Sequence, residues 1–90
     1  MLYTIIMDYK GGTYISQSVG TNPIEGAVSA IRAHNYSDIS DLVSADKSAI
    51  VSGIENDGLA LLQGMKKVYC ATADINGSTA IFNVVETNET

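Results

Sequence analysis

The chain has no Trp, one Cys, one Pro, one Phe and five basic residues among its 90, and each scarcity narrows what it can be. Cys70 alone cannot close a disulfide within the chain, and a lone Cys in so short a sequence does not point to an oxidising compartment. Five Lys and Arg against ten Asp and Glu give a formal net charge of −5. Phosphate backbones are held by clustered cations, and Lys66-Lys67 is the single adjacent basic pair, so nucleic acid is not expected as a partner. Apolar runs are short. Leu59 to Leu62 is as long as any, far below the roughly 20 residues of a membrane helix, so no membrane partner is expected either. Met1 to Ile5 lack a basic segment, an apolar stretch and a small-residue cleavage site, and read as a strand rather than a signal peptide. A cytoplasmic location is the default expectation. Without secretion, the N-x-S/T triplets at Asn35, Asn76 and Asn88 are chance matches.

What is present describes a folded domain. Hydrophobic residues make up 46% of the chain, too many for a disordered segment, and residues 1–90 read as a single α+β domain with a frayed tail over 87–90. A domain this small buries only about 60–65% of its unfolded surface, and dimerisation is a common way to widen so narrow a margin.

Residues 2–9 and 13–19 are rich in Tyr, Ile, Thr and Val, and Lys10-Gly11-Gly12 separates them, a hairpin signal. A three-residue loop sets Tyr9 opposite Thr13 and gathers Tyr3, Ile5, Met7, Ile15 and Val19 on the inner face. Thr4, Asp8, Tyr14, Ser16 and Ser18 then take the other face with Ile6 among them. Thr21 to Glu25 form a helix start. Asn22 is the cap, Pro23 the first helical residue, and Glu25 stands where a capping box needs it. Ile24, Ala27, Val28 and Ile31 form one apolar stripe, Gly26 implies a close approach to the sheet, and His34-Asn35 ends the helix. Ser37 to Val43 suits one or two helical turns. A second helix is expected from Ala45 to Glu55, with Ala49, Ile50 and Ile54 inward and Asn56-Asp57-Gly58 as its stop; Leu59 to Gly64 reads as extended. The clearest signal is Asn76-Gly77, a type I′ turn that pairs Ile75 with Ser78, Ala73 with Ala80, Ala71 with Phe82, Tyr69 with Val84 and Lys67 with Glu86. No internal repeat is evident. The expected architecture is a four-stranded antiparallel sheet from two hairpins, with two to three helices on one face.

No arrangement of reactive side chains stands out. Cys70 and His34 fall on different elements, a strand and a helix end, and nothing near Cys70 would lower a thiol pKa. Asp38, Asp41 and Asp46 do not have calcium-loop spacing and read as helix-start charges. Gly11-Gly12 precedes a strand rather than a helix, so it is a turn and not a phosphate cradle. Asp8 and Asp74 would pair only if the two hairpins adjoin, and turn-flanking Asp is common. Five Tyr on an acidic chain read as core and interface aromatics.

The run Tyr9 to Gln17, the Pro-Ile-Glu-Gly-Ala helix start, Val68-Tyr69-Cys70, Asn76-Gly77 and Phe82 to Thr87 together resemble a group of small uncharacterised bacterial proteins. That group has no assigned activity, so the likeness implies no site residues. Residues 3–33, a hairpin leading through a short loop into a helix that starts near a Pro and a Glu, are more loosely similar to the HicB-type antitoxin module. The chain departs from that module in having no DNA-binding extension after it.

These readings converge on a non-enzymatic protein-interaction module acting as a homodimer, with no cofactor, no metal and no catalytic residue expected. The interaction face is expected to include Ile6, Tyr14, Ser16, Thr72, Ile81 and Asn83. The alternatives are a small-molecule binder lined by inward polar residues such as Gln17, and an antitoxin-like inhibitor of a toxin partner.

Overall fold

Alternating apolar residues and one tight turn build the first hairpin. The computed structural model describes residues 1–34 and 44–88. Strand β1 spans Leu2–Tyr9 and β2 spans Gly12–Val19. Lys10 and Gly11 both have positive φ (49° and 79°), the conformation of a two-residue type I′ turn, and Tyr9 faces Gly12. The expected three-residue loop is therefore corrected by one residue. With a side-chain period of two, that single step turns β2 over. Tyr3, Ile5, Met7 and Tyr9 stay in the core, but Ser18, Ser16 and Tyr14 lie beside them. Ile15 and Val19 point to solvent, 60% and 62% exposed. The ring of Tyr14 lies over Gly12, where a methyl would come within 2.7 Å of the Tyr14 hydroxyl oxygen. A larger residue there would have to push the hydroxyl end of the Tyr14 ring aside.

Helix α1 runs Pro23–Ala33 and is capped as its sequence implies, with the Glu25 amide donating to Asn22 Oδ1 at 2.9 Å. The Glu25 carboxylate reaches one residue further back than expected, accepting from the Thr21 amide at 3.1 Å and the Thr21 hydroxyl at 2.8 Å. Gly26 is buried where a side chain would run into the ring of Tyr3, so the close approach to the sheet is real. Helix α2 spans Ser44–Asp57, two residues beyond the expected end, and stops at Gly58 with φ 75°. Ile50, Val51 and Ile54 face the core; Ala49, expected inward, is exposed. Val51 outcompetes Ala49 because the larger side chain gains more from burial. Lys47 locks the two helices together, donating from Nζ to the carbonyl oxygens of Arg32 (3.0 Å) and His34 (2.9 Å) at the open end of α1. The turn expected over Ser37–Val43, with Asp38 and Asp41, lies outside the described residues.

After α2 come β3 (Ala60–Leu61), β4 (Val68–Ile75) and β5 (Ser78–Thr87). The Asn76-Gly77 turn (φ 50° and 82°) gives the expected pairings of Ile75, Ala73, Ala71 and Tyr69. Lys67 and Glu86 close the end of the hairpin with an ion pair at 3.9 Å. β1 and β5 pair antiparallel, joining the hairpins into one sheet in the order β2-β1-β5-β4-β3. It has five strands instead of four because Ala60 and Leu61, expected merely as extended chain, bond to Cys70 and Tyr69 on β4. Both described helices pack on the same side, making an α+β layer pair. Between the layers lies one apolar cluster containing Phe82, Ile5, Met7, Ile31 and Val84, each worth about 1.5–3 kcal/mol when buried, and Tyr9 carries its hydroxyl to the Ile75 carbonyl at 3.2 Å.

Candidate interaction surface

The strand pairings fix which side chains share the sheet face turned away from the helices. One row across it reads Ile15, Ile6, Asn83, Cys70, Ala60. Its neighbour toward the turns reads Thr13, Asp8, Ile81, Thr72, and on the other side lie Gln17, Thr4, Val85, Val68. Val19, Leu2 and Thr87 form the last row. Thr79 and Asp74 follow beyond Ile81 and Thr72; Asp8 and Asp74 are the charged side chains among these positions, and both sit at the turn end, the remainder being aliphatic or neutral polar. Ile15, Val19 and Ile81 are exposed, the last by 44%. A short polar chain crosses the apolar residues. Gln17 Nε2 donates to Thr4 Oγ1 at 2.9 Å, the Thr4 and Thr87 hydroxyls share a hydrogen bond at 2.6 Å, and Thr87 donates to the Val85 carbonyl at 3.1 Å.

Of the six residues expected on this face, Ile6, Thr72, Ile81 and Asn83 are there. Tyr14 and Ser16 are not: the two-residue turn puts them on the helix side, where Tyr14 packs against the core. The same shift brings in Ile15 and Val19, which the apolar pattern assigns to the interior. The signal that could have placed them is a local equivalence between the two turns. Asp8-Tyr9-Lys10-Gly11-Gly12-Thr13 and Asp74-Ile75-Asn76-Gly77-Ser78-Thr79 share Asp, an apolar residue, a positive-φ residue, Gly, a small residue and Thr. In each, the Thr hydroxyl donates to the Asp carboxylate across the strand, at 2.7 Å and 3.1 Å.

That geometry also separates the two carboxylates, because β5 runs between β1 and β4 and Ile81 stands in the row that holds Asp8. Each Asp serves its own turn. Cys70 lies half-buried on β4, whereas His34 is the C-cap of α1 on the opposite side of the sheet, so the structure does not bring them together. Gln17, expected to line an internal pocket, lies on the solvent face, and apart from Tyr3 and Tyr9 no side chain with a polar group is buried among the described residues. A shallow cleft of about 340 Å³ opens between α2 and β4, with Ile54, Asp57, Ala71, Ala73 and Phe82 on its walls. Among the described residues no three potential metal ligands converge, and no helix is long and apolar enough to cross a membrane.

Burial, and then the negative charge of Glu86 across the strand pair, push the Tyr3 hydroxyl above its usual value of 10, with smaller contributions from Tyr69 and Glu25. No protein-family model, no curated protein and no solved structure matches this chain.

Proposed function

We propose that the domain is a non-enzymatic protein-binding module that acts as a homodimer. The supporting observation is the open sheet face, on which Ile6, Ile15, Val19 and Ile81 lie among neutral polar side chains, with charge confined to the turn end. Such a face is poorer in charge than an ordinary solvated surface, and in that depletion it resembles the central patch of an interface. The absence of Lys and Arg from its described rows favours a protein over a nucleic acid. Light scattering at micromolar concentration is expected to give twice the 9.5 kDa chain mass. A mass of 9.5 kDa would remove the dimer from this reading. For the face itself, proteins captured from the native host by the wild-type chain are expected to be lost when Ile6 and Ile81 are both changed to Lys. Identical capture by a folded double variant would count against it.

A further inference from the structure

We infer that the homodimer is joined edge to edge, by antiparallel pairing of β2 with β2 of a second copy; this rests on the reading that the chain self-associates. β2 is the first strand in the sheet order, and among the described residues no strand pairs with its far side. The phase of its hydrogen bonding is fixed at the end of the hairpin. The Met1 amino group donates to the Gly20 carbonyl at 3.2 Å, and the Gly20 amide donates back to the Met1 carbonyl at 3.0 Å. Backbone bonding alternates along an antiparallel ladder. Ser18, Ser16, Tyr14 and Gly12 therefore bond to β1, while Thr13, Ile15, Gln17 and Val19 direct their N–H and C=O groups outward.

Natural sheets protect such an edge with charges, Pro, bulges or brevity. β2 has none of these. Gly12 to Val19 contain no charged residue and no Pro, and their pairing with β1 is unbroken from Tyr9↔Gly12 to Leu2↔Val19. The opposite edge, β3, is two residues long. An uncharged edge is also where a second chain of net charge −5 can approach at least electrostatic cost. Pairing centred on Ser16 sets Thr13 against the second copy's Val19 and Ile15 against its Gln17, so every outward backbone group of β2 gains a partner. The two-fold axis then stands perpendicular to the sheet. The described helices of both copies fall on one side, and the two open faces merge into one continuous surface.

Light scattering on three chains separates this inference from the broader one. Ile15→Pro removes an outward N–H without breaking a bond to β1, and Ile81→Lys places charge at the middle of the open face. The wild type and Ile81→Lys are expected at twice 9.5 kDa, with Ile15→Pro, its fold checked by circular dichroism, at 9.5 kDa. A dimeric Ile15→Pro with a monomeric Ile81→Lys would move the dimer to the face, overturning the edge and leaving self-association standing. A monomeric wild type would overturn both. Ser16→Cys in a Cys70→Ser background decides the matter should Ile15→Pro fail to fold. Non-hydrogen-bonded residues directly opposite each other have Cα atoms about 4.5 Å apart, within disulfide reach. Rapid formation of a covalent dimer under mild oxidation is expected, and a Ser16→Cys chain that stays uncrosslinked would overturn the pairing.

Discussion

Tyr3 and Gly26 show how far a single position can decide the packing of this chain. Gly26 interrupts the apolar face of α1, and Ala would favour the helix by about 1 kcal/mol on propensity alone. The Tyr3 ring occupies the space that methyl would need, and both residues are buried. Overpacking of this kind costs about 1–3 kcal/mol, so Gly26→Ala is expected to lower stability in urea unfolding despite its better helix propensity. Tyr3 has a second consequence. Its hydroxyl is held neutral above the ordinary tyrosine range by burial and by Glu86. Below a pH of about 10 the group is neutral in the folded and unfolded chain alike, and its contribution is fully present. As pH rises further the unfolded chain ionises first, and stability falls until the folded-state value is passed. Thermal melts from pH 8 upward are expected to show a smaller alkaline loss in Tyr3→Phe than in the wild type; an identical loss would remove Tyr3 as its source.

Among the elements, the turns and caps set register and orientation. Gly77 has φ 82°, which an L side chain adopts at a cost of about 1–2 kcal/mol, so Gly77→Ala is expected to lower stability by that order in chemical unfolding. Lys47→Met is expected to cost about 1–2 kcal/mol by the same measurement, because it leaves the Arg32 and His34 carbonyls without the ammonium that binds them across the α1–α2 junction. The second hairpin was legible from sequence down to its pairings because Asn and Gly are the two residues that enter positive φ most easily. The first was legible only as a hairpin. Lys10 adopts a positive φ that its residue type disfavours, and the neighbouring Gly12 offered a rival loop with Ile15 and Val19 turned inward. Local turn geometry won over that apolar pattern because β2 is an edge strand, where alternate residues gain little from turning inward. Asn22, Pro23 and Glu25 announced α1 through backbone chemistry. The inward side of α2 was harder to read, since Ala49 and Val51 compete for one face and the contacts that choose between them are tertiary.

For the whole molecule, the decisive feature was hidden from the sequence: which hairpin strands meet. β1 joins β5 at the centre of the sheet, placing β2 at one end and the short β3 at the other. The open sheet face was legible in part, through Ile6, Thr72, Ile81 and Asn83, whose placement follows from strand alternation and a correct second turn. Ile15 and Val19 became visible only with the register of the first. Paired at β2, two chains would present the surface as one broad sheet, a size better suited to holding another protein than either half alone. Amide hydrogen exchange along β2, followed residue by residue at micromolar concentration, is the most direct test. An edge-paired dimer predicts that the Ile15 and Gln17 amides exchange as slowly as those of Tyr14 and Ser16. Alternation, with Ile15 and Gln17 exchanging freely between protected neighbours, would contradict it.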